Sequence, residues 1–437
     1  MHLNPLSLHH VPGLFNIETL NLDISYLAMA SRSTAKANLD HLPTEILERI
    51  IFSITDLRSI YHLVVASPAA SRVFESSEVG PKALDHVLTG SMSPHVVELV
   101  RLVGLIRTAT PERPPTSSLS DFVEKYTKCQ DGSASSIASA APNLASSLRG
   151  QSPQLVRGML LTARRICCLA WACLEYYRSR WSSVTPAHLE GPFAWGAGRE
   201  KPWRQNPPGK TYELQPIGPS CWMEEQRVMR GFWRLQLLFD LNIAASEGRL
   251  GWTSENGQGE ITSDVLFEGW TWQKEEFLTV VDFVEHVQGG PILSQGSRRL
   301  PAPPSDYDSA KEWQDPVSPG VEDPRWSREE ESKLQPPCWT FYVVRLLKNP
   351  YSPVRGVPFW PYRQLGLAIW EQDKLEALEL SYTPYASKGG KQSPSSGDQV
   401  FTWRSLLSPE LIAELQMAME EDCQKNGFRF NRGNPDM

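Results

Sequence analysis

Two glycine-containing stretches approach the patterns that bind phosphate or a dinucleotide. Gly209-Lys210-Thr211 matches the end of a phosphate-binding loop, but position 204, where that loop needs its first glycine, holds Arg204. Gly196-Ala197-Gly198 lacks the third glycine of a dinucleotide fingerprint, because residue 201 is a lysine. No G-x-S-x-G elbow occurs. The sequence therefore predicts neither a nucleotide cofactor nor a hydrolase nucleophile.

The spacing of the Cys, His, Asp and Glu residues indicates structural roles rather than a catalytic or metal-binding site. The seven cysteines include no C-x-x-C pair, and the nine histidines form no zinc-like set with them, so we expect no metal and no cofactor. Cys167, Cys168 and Cys173 are expected to be small core residues. An enzyme would need a pocket of clustered titratable groups, and Glu224, Arg227 and Arg230 are the candidates for one.

Composition narrows the class of protein. The chain has 437 residues, of which 41% are hydrophobic, and 43 Lys and Arg stand against 50 Asp and Glu, a net charge of −7. This fraction of hydrophobic residues is large enough to form a core, so the chain is not disordered throughout. The slight excess of acidic residues argues against a nucleic-acid partner, which would need a basic surface. The most apolar stretch, 155–177, contains Arg157, Arg164 and Arg165, so we expect no membrane span. Free thiols and the absence of N-x-S/T sites favour a cytoplasmic or nuclear protein.

Apolar residues recur mostly at helical spacing, which predicts a mainly α fold. We expect a disordered leader over 1–38, helices over 40–110, and a loop over 111–152 with a short helix near 119–128. A long helix should begin at Ser152-Pro153, since serine caps helices and proline suits their first turn. A Pro/Gly-rich connection over 182–219 should precede helices at 221–246 and 270–288.

The last third of the chain begins with a solvated segment. Residues 301–337 contain eight Pro, nine Asp or Glu and four Lys or Arg, which predicts an acidic linker or loop. Helices are expected at 361–380 and 409–426, the second starting at Ser408-Pro409 and ending at Gly427. All 15 Trp lie from residue 171 onward. We expect most of them in a core where 338–437 packs on 153–300, although an exposed Trp cluster would suit a partner.

Residues 39–76 predict three short helices. Pro43 and Glu45 suit a first helical turn, and an apolar stripe follows at Ile46, Leu47, Ile50, Ile51 and Ile54. Asp56 can cap a second helix, and Ser67-Pro68 can start a third. A unit this small needs further support, so it should pack on the rest of the chain, on a partner, or on both.

This segment resembles an F-box. Leu42-Pro43-Thr44-Glu45-Ile46-Leu47 is similar to the opening signature of that family, and Asp56-Leu57 with Leu63-Val64 is similar to its second helix. The third helix reads Ala66-Ser67-Pro68 and lacks the Cys and Trp of many F-boxes, as in filamentous-fungal members. The resemblance implies docking on the Skp-type adaptor of an SCF ubiquitin ligase. The implied adaptor-binding residues are Leu42, Pro43, Ile46, Leu47, Ile50, Ile51, Leu57 and Ile60.

Two further stretches, 224–236 and 362–370, resemble segments of the same fungal proteins. By that resemblance, the chain would be the substrate receptor of the ligase, and its C-terminal region would bind a protein target that the sequence does not name. An alternative is a helical scaffold with an F-box-like motif that never enters a ligase. Burial of Ile46 and Ile50 in the chain's own core would favour the scaffold, and an exposed stripe would favour the receptor.

Overall fold

The structure is a computed structural model, and it confirms the mainly α fold. It describes residues 39–76, 78–127, 141–196, 200–215, 217–252, 261–267, 271–293, 299–304, 336–381 and 396–427. The leader over 1–38 and nearly all of the acidic segment 301–337 lie outside these ranges. Within them, fifteen α-helices surround one continuous hydrophobic core, and the β-structure consists of a two-stranded hairpin and an isolated bridge.

The N-terminal unit contains the three short helices that the sequence predicts. They are α1 (Thr44–Ser53), α2 (Leu57–Ala66) and α3 (Pro68–Phe74), and a 3-10 turn (Leu39–His41) precedes them. Asp56 caps α2 by accepting from the Ser59 N–H at 2.7 Å, and Ser67 caps α3 by accepting from the Ala70 N–H. Here α1 packs on α3 and on α4 (Val79–Ser91).

The middle of the fold is built from three long helices and their neighbours. After α5 (Pro94–Thr108), α6 (Leu119–Phe122) runs into a π-helical turn (Val123–Thr127), and α7 (Leu144–Ser147) precedes the predicted long helix α8 (Pro153–Arg180). Helix α9 (Trp222–Ser246) packs on α5, on α8 and on α10 (Trp272–Gln288). Nearly all of α9 is buried, so this helix organises the core.

A small antiparallel hairpin interrupts the connection between α8 and α9, where the sequence predicted irregular chain. Strand β1 (Ala187–Leu189) pairs with β2 (Gly209–Thr211), and 3-10 turns flank β1 (Trp181–Ser183) and precede β2 (Pro202–Arg204). His188 stacks on Tyr212 with ring centroids 3.9 Å apart. Strands are predicted from alternating apolar and polar residues, and these two strands are only three residues long and show no such alternation, so the sequence did not indicate them.

The predicted helix over 361–380 is wrong. The structure has α12 (Trp360–Arg363) and α13 (Gln372–Ala377), separated by a turn at Gly366, where φ is +73°. An ideal Cβ on Gly366 would lie 2.7 Å from Trp370 Nε1 and 3.0 Å from Tyr177 Cβ. The chain turns here because only glycine takes this φ readily and also leaves room for the Trp370 ring. Apolar residues keep a helical spacing across the turn, so the sequence pattern does not show where the helix is interrupted.

Replacing Gly366 with Ala should lower the free energy of unfolding by about 2–3 kcal/mol, because left-handed strain adds to steric overlap. Gly289, the C-cap of α10, is the matched control, since it has a φ of +72° and open space around it. Gly289→Ala should cost about 1 kcal/mol from strain alone. Denaturant unfolding of both variants measures the difference, and equal losses would mean that the overlap with Trp370 is relieved.

The C-terminal part surrounds the middle helices. Helix α11 (Pro337–Phe341) continues into a π-helical turn (Tyr342–Leu347), α14 (Ser396–Ser405) packs on β1, and α15 (Pro409–Asn426) ends before Gly427 as predicted. Trp370 and Trp403 are fully buried, and the indole of Trp181 donates to the Leu365 carbonyl at 2.6 Å. By contrast, α15 has no buried residue, so it rests on the surface of the fold.

Candidate functional site

Half of the predicted adaptor-binding residues are accessible. Ile46 is 40% exposed on α1, and Pro43 at its N-terminal end is exposed as well. Leu42 and Ile50 are partly buried. These four residues, which we call the α1 surface, lie at the start of α1 and at successive turns of it, so a partner could contact them together.

The other four residues predicted to contact a partner face the chain's own core. Leu47, Ile51, Leu57 and Ile60 are 5% exposed or less, and all belong to the continuous hydrophobic core. Their prediction as contact residues needs correction, because side chains that are already buried cannot also meet a second protein. The broad stripe of α1 is two stripes about 100° apart, one facing inward and one facing outward. Leu47 and Ile51 therefore attach the unit to the protein.

Polar contacts fix the N-terminal unit in place. The Asp40 carboxylate accepts from the Ser67 hydroxyl at 2.7 Å and from the Ala69 N–H at 3.1 Å, which joins the leading 3-10 turn to α3. These two hydrogen bonds lower the pKa of Asp40. On α2, the Tyr61 ring lies under the Arg164 guanidinium of α8, 4.5 Å from ring centroid to Cζ. Sequence reasoning missed Asp40 because its partners lie 27 and 29 residues away.

Glu224 and Arg227, two of the residues that could have formed an enzyme pocket, are buried on α9. Glu224 accepts from the Lys374 ammonium at 2.5 Å and from the Cys221 and Glu371 N–H groups at 2.9 Å. Arg227 contacts the Glu371 carboxylate and the Ile369 carbonyl, both at 2.5 Å. Burial raises the pKa of Glu224, and the Lys374 ammonium opposes that rise. These contacts attach the segment around α13 to α9.

The third candidate, Arg230, forms a bidentate pair with Glu276 of α10. The two N–O distances are 3.0 and 2.7 Å, and both side chains are at most 3% exposed. Burial raises the pKa of Glu276 against the pull of Arg230. Burial, with Arg230 and Arg234 nearby, also lowers the pKa of His95 to about 3. None of the three cavities at 175–217, at 203–427 and at 275–363 is lined by Glu224, Arg227 or Arg230, and the ion pairs of these residues stabilise the packing of helices.

The cysteines of α8 lie in the core, as predicted. Cys167, Cys168 and Cys173 are at most 5% exposed, and burial raises the pKa of Cys167 and Cys173. Across the described ranges, no cluster of three or more His, Cys, Asp or Glu side chains could hold a metal ion. No helix in those ranges combines the length and the apolar character that crossing a bilayer requires.

Three surface cavities lie away from the α1 surface. The first, about 670 Å³, lies between the end of α8 and residues 212–215 and 217. The second, about 520 Å³, lies between α15 and the residues around Trp203 and Arg355. The third, about 410 Å³, is lined by Tyr342, Phe359, Trp360, Glu275 and Arg363. Arg363 also pairs with Glu275 at 2.6 Å and with Asp282 at 2.8 Å, so its charge is neutralised within the fold.

Glu420 attaches α15 to the 3-10 turn at 202–204. Its carboxylate accepts from the Trp203 indole at 2.5 Å and from Arg204 at 2.5 and 2.6 Å, and it lies 3.7 Å from Lys201. Arg204 and Trp203 lower the pKa of Glu420 from 4.5 to about 2. The folded protein therefore binds this proton less readily than the unfolded chain does.

Acid should release α15. A lowered carboxylate pKa stabilises the docked helix fully above about pH 4.5 and progressively less as the pH falls towards 2. We expect the protection factors of the α15 amides, referenced to the exchange rates of an unstructured chain at the same pH, to fall over that range before the rest of the protein opens. Glu420→Gln should lower these protection factors already at neutral pH and make them nearly independent of pH. Equal protection of α15 in both proteins at pH 7 would contradict this contact.

No family model, no curated protein and no solved structure matches the chain. The functional interpretation therefore depends on the residues themselves.

Proposed function

We propose that the protein is the substrate-recognition subunit of an SCF-type ubiquitin ligase. The α1 surface would bind the Skp-type adaptor, and the C-terminal region would bind a target protein. The observation that supports this proposal most is the exposure of Ile46 beside Pro43, in the segment whose sequence resembles an F-box. An apolar side chain that the fold leaves in solvent at this position is available to a partner.

The function would be tethering, without chemistry by the chain itself. With α1 fixed on the adaptor, a target bound elsewhere on the chain would be held near activated ubiquitin at a high effective concentration. Tethering requires that the N-terminal unit be firmly attached to the rest of the chain. Leu47 and Ile51 pack into the core, and Asp40 ties the leading turn to α3, so the docking surface would move together with the rest of the protein.

A helical scaffold that enters no ligase is the second candidate. It is favoured by the burial of Leu47, Ile51, Leu57 and Ile60, since these side chains are used by the chain's own core. An interface of ordinary size buries about 800 Å² on each partner, which is more than the α1 surface alone provides. A ligase receptor therefore needs the adaptor to contact neighbouring residues as well.

Capture of the chain on an immobilised, purified Skp-type adaptor distinguishes the two candidates. We expect the wild-type protein to be retained and the double variant Leu42→Ala/Pro43→Ala to be lost, because both substitutions remove side chains at the start of α1. Met417→Ala is the control, since Met417 is 66% exposed on α15. Helical content measured by circular dichroism should be the same in all three. Retention of the double variant, or no retention of the wild type, would contradict the ligase proposal.

A further inference from the structure

Residues 336–370 carry a charge pattern opposite to that of the chain as a whole. They contain four cations and no Asp or Glu, although the full sequence has a net charge of −7. Arg345, Lys348 and Arg355 are exposed. None of the three forms an ion pair with any residue in the described ranges, in contrast to Arg363. Within the part of the chain that the structure describes, this segment therefore presents positive charge that no ion pair neutralises, although the chain as a whole is acidic.

The same segment exposes large apolar side chains. Val344 is 51% exposed, Tyr351 43% and Trp360 41%. Tyr351 lies against Gly196, since a Cβ on that glycine would be 2.7 Å from its ring. Apolar and cationic side chains exposed side by side are typical of protein-binding surfaces, where Trp, Tyr and Arg carry most of the binding energy.

Two of the cavities meet within this segment. Gly356 lines both the 520 Å³ cavity and the 410 Å³ cavity. Arg355 stands in the wall of the first, and Pro358 and Trp360 stand in the wall of the second. We call Arg355, Gly356, Pro358 and Trp360 the Gly356 surface. It joins two adjoining hollows whose walls contain both apolar and charged side chains, with the Arg355 cation in the wall of the first and the Trp360 ring in the wall of the second.

We propose that the Gly356 surface binds an acidic segment of a partner protein that also carries an apolar anchor residue. Carboxylates of that segment would pair with Arg355, and the anchor would pack on Trp360. Under the proposed function, the partner would be the target of the ligase, and to that extent the inference rests on it. Nucleic acid fits less well, because a run of phosphates needs an extended basic face, and this surface offers few cations on a chain of net charge −7.

Fluorescence polarisation of labelled peptides with the full chain, and no adaptor present, tests the inference. The probe is a short peptide rich in Asp and Glu around a central Leu-Phe pair, and the comparison peptide has Asn and Gln in place of the acids. We expect saturable binding of the acidic peptide only. Arg355→Glu and Trp360→Ala should each weaken binding by about tenfold or more. Arg113→Glu, at an exposed arginine elsewhere, should leave it unchanged.

Four outcomes would overturn the inference. They are no binding of the acidic peptide, equal binding of both peptides, equal affinity of Arg355→Glu and Arg113→Glu, and tighter binding of an oligothymidine than of the peptide. Removal of 306–331, the acidic segment of this chain, is a further arm. A gain in peptide affinity after that removal would assign the surface to the chain's own segment and not to a partner. Because no adaptor is used, failure here leaves the α1 surface untouched.

Discussion

Replacing Glu276 with Ala is expected to lower the free energy of unfolding by about 3–5 kcal/mol. The substitution leaves the Arg230 guanidinium, at 3% exposure, without its bidentate carboxylate in the middle of the α9–α10 interface. The stacked Trp272 ring, 4.6 Å from Arg230 Cζ, offers only partial compensation. Denaturant unfolding followed by tryptophan fluorescence measures the loss.

Two further variants distinguish the effect on stability of an unpaired buried charge from the effect of losing a carboxylate side chain. Glu421→Ala removes a carboxylate whose pair with Lys425 is about two-thirds exposed, and it should change stability by less than about 0.5 kcal/mol. Arg230→Met/Glu276→Leu removes both charges and should recover most of the stability, since apolar residues of similar volume pack well in such sites. If Glu276→Ala lowers the free energy of unfolding no more than Glu421→Ala does, solvent reaches Arg230 in the folded protein.

Ile46→Asp is expected to weaken binding of the Skp-type adaptor by about 100-fold, the scale of an interface hot spot. Ile46 is 40% exposed, so a carboxylate there is solvated in the free protein and is desolvated only in the complex. Stability should therefore change little. Met417→Asp on α15 is the control, and it should bind the adaptor with the affinity of the wild type.

Leu47→Ala provides the opposite test on the adjacent residue. Leu47 is 1% exposed, so its truncation should lower the free energy of unfolding by about 2–5 kcal/mol and leave the affinity of the folded protein for the adaptor near that of the wild type. Loss of affinity in Leu47→Ala without loss of stability would mean that the wrong face of α1 was assigned to the partner.

Residues whose partners are close in sequence were predictable. Ser152-Pro153 and the apolar residues after it placed α8, and Asp56 and Ser67 placed the starts of α2 and α3, because caps and periodicity act within a few residues. The inward and outward faces of α1 could also have been separated. Adjacent helical residues such as Ile46 and Leu47 point about 100° apart, so both cannot lie on one face.

Features that depend on distant partners were not predictable. Arg230 and Glu276 are 46 residues apart, and no local pattern indicates that α9 and α10 bring them together. Gly366 ends a helix because Trp370 and Tyr177 occupy the space beside it, and that crowding comes from the tertiary structure. The 520 Å³ cavity beside the Gly356 surface combines residues near 203, 355 and 415, and no local pattern indicates that they meet.

A calorimetric titration of the purified full chain with a purified Skp-type adaptor tests the central claim most directly. The account predicts a saturable one-to-one complex, and the same titration with Ile46→Asp should show almost no heat of binding. Absence of binding by the wild-type chain would contradict it and leave the N-terminal helices as part of a scaffold. Equal binding by Ile46→Asp would contradict the assignment of the α1 surface to the adaptor.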